Sequence, residues 1–220
     1  HLIPNNIPVE DPQDLSLEAR KQFENRRFEA IEQGFSKSPI IFYTGPTGIG
    51  KSTYFVKEFA NEYSNKMQKE VQIYLGEDNL ENFAQHKDET KEPILFIDEA
   101  NLSTLKLSIL RGVKSQRPHI LINGHYCPFN GKIILAGNDK NYGGVRQQHD
   151  FFDECAQIVE CERPNHAYLY HRILKKQLEK NNRSQEKNFC EDTAKIILTI
   201  FDKINQLAGL PNPLLSPRHL

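Results

Sequence analysis

The sequence predicts a doubly wound α/β fold, a parallel sheet with helices on both faces, followed by a partial C-terminal helical segment. Three observations predict it. Short runs such as Ile94–Ile97 and Ile133–Ala136 have the length and continuous hydrophobicity of strands buried on both faces. These runs alternate with segments of helical period. After Pro164 the strand-like runs stop and the texture becomes helical.

In chain order, His1–Gln13 holds three prolines and reads as an extended arm. Asp14 or Ser16 can cap a helix that runs to about Gln33, with Gly34 as its stop signal. Pro39–Thr44 is a strand that enters a glycine-rich loop, and a helix follows from about Lys51 to Lys66. Val71–Leu75 is a second strand, Glu77–His86 a short helix or loop, and Ile94–Asp98 a third strand. Ser103–Lys114 reads as a helix with Leu105, Ile109, Leu110 and Val113 on one side. In Ile120–Cys127, Asn123-Gly124 separates two strand-like triplets, a hairpin signal because both residues tolerate positive φ. Lys132–Ala136 and Ile158–Cys161 complete the sheet. Tyr168–Leu178 and Asp192–Leu207 are helices around the polar loop Asn181–Lys187, the later one amphipathic through Ile197, Ile200, Phe201, Ile204 and Leu207. The expected organisation is an arm and helix over 1–38, an α/β core over 39–162 and a helical lid over 163–220.

Composition narrows the function classes. The chain has 220 residues, with Lys+Arg 28 against Asp+Glu 29, a net charge of −1. Binding nucleic acid by bulk charge is therefore not favoured, although a local basic patch is still allowed. No run approaches the roughly 18 to 20 apolar residues of a membrane span. Four cysteines (Cys127, Cys155, Cys161, Cys190) form no C-x-x-C pair, and reduced thiols in an intracellular, cytoplasmic protein are the expectation. The start at His1 rather than Met leads us to expect a module excised from a longer protein.

The chemistry is concentrated in Gly45-Pro46-Thr47-Gly48-Ile49-Gly50-Lys51-Ser52, a full match to G-x-x-x-x-G-K-[ST] between a strand and a helix. Four fixed positions arise by chance in a chain of this size on the order of once in a hundred. Glycines let such a loop curl so that N–H groups from about Thr47 to Thr53 point at a triphosphate, and the helix N-terminus adds partial positive charge. Lys51 would reach the β- and γ-phosphates, and Ser52 would ligate Mg²⁺. The loop therefore predicts a P-loop NTPase that binds ATP. About 45 residues on, Ile94-Leu-Phe-Ile-Asp98-Glu99 places two carboxylates at the carboxyl end of an apolar strand, where open α/β sheets hold their ligands. Asp98 is the expected metal partner and Glu99 the residue that polarises an attacking water.

The phosphate loop, the Ile97-Asp-Glu-Ala100 segment, a strand ending in Ala136-Gly-Asn138 and the terminal Ser216-Pro-Arg218 together resemble the AAA+ ATPase module over nearly the whole chain. A MoxR-like or midasin/dynein-related branch is the nearest resemblance. It implies Mg²⁺-dependent ATP hydrolysis that drives conformational work on an unknown macromolecule, with assembly into a homo-oligomeric ring. Asn138 then matches sensor 1, which orients the lytic water; a turn-forming Asn is the alternative. Arg218 matches sensor 2, with Ser216 as helix cap and Pro217 as first residue; a surface arginine is the alternative. The hairpin Ile120–Cys127 resembles one that some branches insert before sensor 1 and turn toward a pore or substrate. A plain connecting hairpin is the other reading.

One departure stands out. Phe151-Phe-Asp-Glu-Cys155 carries Glu154 where the family's arginine finger is expected, and Arg146 is a nearby substitute. A nucleotide-gated scaffold with weak hydrolysis therefore stays open as a second reading. A nucleic-acid translocase, resting on the hairpin and the basic stretch Arg172–Lys187, is a third. His125-x-Cys127 and the pair His166/His171 give no four-ligand spacing for any metal other than Mg²⁺.

Overall fold

The structure is a computed structural model and describes residues 11–46, 48–102, 107–138, 149–181, 188–207 and 215–220. By compactness the chain forms two units. Of the described residues, the first comprises those within Phe28–Gly45 and Gly50–Cys161; the second comprises those within Asn6–Arg27, Pro46–Ile49 and Glu162–Leu220.

The first unit is α/β, as predicted. Five parallel strands, β1 (Ile40–Thr44), β2 (Glu70–Leu75), β3 (Lys91–Ile97), β6 (Lys132–Gly137) and β7 (Gln157–Glu160), lie in the order β2-β3-β6-β1-β7. Between β3 and β6 the chain makes the separate antiparallel hairpin β4 (His119–Ile122) and β5 (His125–Pro128). Its turn residues Asn123 (φ 49°) and Gly124 (φ 81°) both take the left-handed conformation anticipated for Asn-Gly.

Alternation along the strands builds two cores. Ile41, Tyr43, Ile94, Phe96, Ile134 and Ala136 face one side and pack under α2 (residues 51–67), whose Tyr54, Phe55, Phe59 and Tyr63 are buried. That helix contains a π-helical turn at Phe55–Phe59, and Phe55 stacks on Phe96 with ring centroids 4.9 Å apart. Each such fully buried ring contributes roughly 1.5–3 kcal/mol. On the opposite side Ile40, Phe42, Leu95, Ile97, Ile133 and Leu135 are covered by α3 (Leu80–Ala84), a 3-10 helix at Leu107–Lys114 and α4 (His149–Cys155). Phe152 of α4 stacks on Phe42 with centroids 4.1 Å apart.

Three expectations need correction. The helix placed at Ser103–Lys114 is a 3-10 helix over Leu107–Lys114, because Leu107, Leu110 and Val113 are buried at a spacing of three residues. Residues 103–106, with Leu105, lie outside the described residues. The first helix, α1 (Leu17–Lys37), does not stop at Gly34. It is capped by Ser16, whose hydroxyl accepts from the Ala19 N–H at 3.1 Å. It continues through Gly34 because that glycine allows close packing: a Cβ there would sit 2.7 Å from Val159 Cγ2 and 3.0 Å from Ile41 Cγ2.

In the second unit, α5 (residues 166–181) and α6 (Phe189–Leu207) bury Leu169, Tyr170, Leu174, Ala194 and Leu198 with Leu15. The buried face of α6 is Ala194/Leu198, with Ile197 alongside. Ile200 and Leu207 of the expected stripe stand exposed, which is the third correction. Arg26 grips Glu162 at 2.7 Å and Arg172 grips Glu24 at 2.8 Å, so part of the basic stretch serves as a structural ion pair. No helix among the described residues is long and apolar enough to cross a membrane. The four cysteines are free thiols.

Filling the space at Gly34 should destabilise the fold in order of size. Gly34→Ala lowers the denaturant-unfolding free energy, Gly34→Val lowers it by about 2–3 kcal/mol, and the exposed neighbour Ser36→Ala stays within about 0.5 kcal/mol.

Candidate functional site

The parallel registers bring the predicted residues to one edge of the sheet. Thr44, the last residue of β1, is opposite Gly137 of β6, so Gly45 and Asn138 both begin just beyond that edge. Ile97 of β3 is opposite Leu135, which places Asp98 and Glu99 beyond the same edge, two strands from the loop. The turn after β3 is tied back to β6 by the Ala100 N–H donating to the Ala136 carbonyl at 2.9 Å.

The loop has the backbone its glycines permit. Gly48 (φ 73°) and Gly50 (φ 92°) are left-handed, and the helix begins at Lys51. Lys51 is buried and its ammonium donates to the Gly45 carbonyl across the loop at 2.8 Å. The Ser52 hydroxyl donates to Asp98 Oδ2, while Asp98 Oδ1 accepts from the Glu99 N–H at 2.9 Å. Two residues from distant parts of the chain thus share one hydrogen bond at the sheet edge. Thr53 follows on the exposed side of the same turn and Ile49 is buried. Thr47 and Arg146 lie outside the described residues, as does the side chain of Arg218.

Asp98 and Glu99 are both exposed, and Glu99 is left-handed at φ 48°, an unusual conformation for a glutamate. A left-handed glutamate beside the glycine-rich loop is the kind of backbone cost that folds carry at working sites. A cleft of about 530 Å³ opens here, lined by Ser52, Asp98 and Glu99 together with Gly76, Glu77 and Asp78.

Two polar groups that sequence reasoning passed over complete the edge. Asn101 is buried and its Oδ1 has no hydrogen-bond partner among the described residues; the Thr44 hydroxyl is likewise buried and unpartnered. Unsatisfied buried polar atoms are costly and need a reason. Asn101 Oδ1 also explains Gly137: a Cβ there would lie 2.7 Å from that oxygen and 2.8 Å from the Phe42 ring. The sequence signals were available, an amide closing Asp98-Glu-Ala-Asn101 and a hydroxyl ending an apolar strand, but neither residue belongs to a phosphate-loop pattern.

In the second unit, Pro217–His219 forms a short 3-10 helix. Ser216 is its cap and the Ser216 N–H bonds His219 Nδ1 at 2.9 Å. The cap and first-residue readings of Ser216 and Pro217 therefore match the local geometry. Gly48 packs on this segment: a Cβ added to it would come within 2.6 Å of Ser216 Oγ. A cleft of about 480 Å³ in this unit brings Ile49 together with Leu169, Phe201, Asn205, Leu215 and Pro217.

No protein-family model matches the chain. No curated protein matches it either. Among solved structures the chain is similar to the structure of C. elegans PCH-2, at 12% identity and a TM-score of 0.45, with 94% of this chain and 67% of that chain covered. So loose a likeness carries no residue's role across.

The donor chemistry fits a magnesium–nucleotide complex. Ser52 and Asp98 offer adjacent hard oxygens, and Mg²⁺ typically takes one or two protein oxygens and fills its shell with phosphates and water. Among the described residues no group of three or more His, Cys, Asp or Glu forms a separate metal cluster. His166 is occupied by the Pro12 carbonyl and Asp202, and His171 by the Leu15 carbonyl at 2.8 Å.

Burial holds the His171 imidazole below its ordinary pKa, outweighing the hydrogen bond to Leu15 that favours its charge. The folded state thus binds fewer protons than the unfolded state around and below pH 6.5. The stability this histidine contributes is complete above that pH and is lost as the pH falls. Stability measured by denaturant should rise from pH 5 to 7, and His171→Gln should flatten the rise. Separately, Gly48→Ala forces a side chain onto Ser216 at a left-handed φ. It should cost about 1–3 kcal/mol of stability in the same assay, with Ser216→Gly recovering part of the loss.

Proposed function

We propose that the chain is a Mg²⁺-dependent ATP-binding and hydrolysing module of the AAA+ type. The observation that carries this reading is the meeting of Ser52 with Asp98 beside the loop of Lys51. A serine at a helix start and an aspartate two strands away have little structural need of each other, and together they make a cation–phosphate seat.

Each residue then has a role set by its position. Inward N–H groups of the loop and the N-terminus of α2 receive phosphate oxygens. Lys51, freed from the Gly45 carbonyl, turns its ammonium to the β- and γ-phosphates. Bound at Ser52 and Asp98, Mg²⁺ supplies neutralising charge for the phosphates. Glu99, at the exposed turn, accepts a hydrogen bond from the attacking water, and Asn138, one residue past β6, orients that water. Arg218 is the γ-phosphate sensor of this reading.

A second reading, a nucleotide-gated scaffold with slow turnover, has one observation in its favour. Glu154 occupies the position where the resemblance puts an arginine, and it is engaged by Arg111 of the 3-10 helix. Hydrogen bonding to that carboxylate raises the arginine's pKa further. Without a trans arginine, phosphoryl transfer loses a contribution that reaches several powers of ten elsewhere.

Substitutions separate the readings. Lys51→Ala should abolish binding of a fluorescent ATP analogue. Glu99→Gln should keep binding and lower phosphate release by about a hundredfold or more. Unchanged release in Glu99→Gln, with binding lost in Lys51→Ala, would leave the scaffold reading standing and remove the enzymatic one.

A further inference from the structure

The balanced charge of the chain conceals a local segregation. From Ala100 to Asn138 there is no Asp or Glu, although the whole chain has 29; at that frequency about five would be expected. The same segment holds Lys106, Arg111, Lys114, Arg117 and Lys132, with His119 and His125. The fold gathers most of it into one surface feature, the 3-10 helix Leu107–Lys114 packed against the β4–β5 hairpin.

The hairpin has two unlike faces. Ile120 is buried on one side, while His119, Leu121, Tyr126 and Pro128 point to the other in paired register. Tyr126 is 73% exposed, and its ring meets the His119 ring edge-on with centroids 4.7 Å apart. Arg117, His119 and Tyr126 border one open cleft with Ser115, Gln116 and Pro118. Arg111 and Lys132 are paired with the carboxylates of Glu154 and Glu92; Lys114, whose ammonium donates to the Glu154 backbone carbonyl at 3.4 Å, and Arg117 carry no carboxylate partner among the described residues. A large aromatic side chain held by the backbone in solvent, against a partner imidazole, contributes little to folding. Beside cations and with no carboxylate within the segment, it has the chemistry that stacks on bases while the cations meet phosphates.

We propose that the outer face of the β4–β5 hairpin binds single-stranded nucleic acid, with Tyr126 and His119 as the stacking platform and Arg117 and Lys114 as phosphate contacts. The surface is separate from the nucleotide site and does not depend on the ATPase reading.

Fluorescence anisotropy of a labelled 20-nucleotide oligo(dT) with the whole chain, in the absence of ATP, tests the proposal. Wild type should bind at 50 mM salt, and its affinity should fall with salt at a log–log slope of about −1.4, the value for two phosphate contacts. Tyr126→Ala should weaken binding about tenfold at constant salt. Arg117→Gln should make the slope shallower by about 0.7, and Lys180→Gln, on α5, should leave both unchanged. These substitutions lie on exposed side chains, and an unshifted thermal melt verifies that each variant is folded. Absence of binding by folded wild type at 50 mM salt overturns the proposal. So does wild-type affinity in Tyr126→Ala combined with displacement of the oligonucleotide by poly-glutamate, which would make the surface a site for acidic polypeptides.

Discussion

The parallel pairing of β6 between β1 and β3 is the constraint on which the site depends. Because all three strands run the same way, each delivers its next residues to one edge: the glycine-rich loop from β1, Asp98 and Glu99 from β3, and Asn138 from β6. A shift by one residue would turn the alternating side chains to opposite faces and break both cores at once. The register is therefore held by Ile41, Tyr43, Phe96 and Ile134 on one face and Phe42, Leu95, Ile133 and Leu135 on the other. The hydrogen bond between Ser52 and Asp98 is the visible consequence of this geometry. It sets a hydroxyl and a carboxylate side by side in a way that neither local sequence would impose.

The edge is also where the fold carries its costs. Glu99 has a left-handed backbone, Asn101 Oδ1 and the Thr44 hydroxyl are buried without partners among the described residues, and Lys51 keeps a buried ammonium on a carbonyl of its own loop. A structure built only for stability would replace these groups with apolar ones. Their concentration beside one loop is a cost of the kind that folds carry at working sites; among them Lys51 and the Thr44 hydroxyl are donors, while Asn101 Oδ1 and Glu99 are acceptors.

Much of this was legible in the sequence because the signals were local. Strand-length apolar runs, the strand–loop–helix context of Gly45–Ser52 and the Asn123-Gly124 turn each depend on a few neighbouring residues, and the structure has the elements they imply. What escaped depends on tertiary packing. Gly34 reads as a stop signal, yet it is a contact point for Val159, over a hundred residues away. Leu105, Ile109, Leu110 and Val113 read as a helix face, yet the buried residues are Leu107, Leu110 and Val113, whose spacing of three is the repeat of a 3-10 helix. Ile200 and Leu207 fit an amphipathic stripe, but the surface available to α6 covers Ala194 and Leu198 instead. Of the candidate site, the loop and the acidic pair were readable as motifs. Thr44 and Asn101 were not, because each matters only through what surrounds it.

If Ser52 and Asp98 meet to hold a cation on a nucleotide, magnesium tightens ATP binding through Asp98. The most direct measurement is the affinity of the chain for ATP with magnesium and with chelator, in wild type and in Asp98→Asn. Wild type should bind ATP at least about tenfold more tightly with Mg²⁺, and Asp98→Asn should remove most of that difference. Equal affinity with and without magnesium in wild type, or a full magnesium effect in Asp98→Asn, would contradict it.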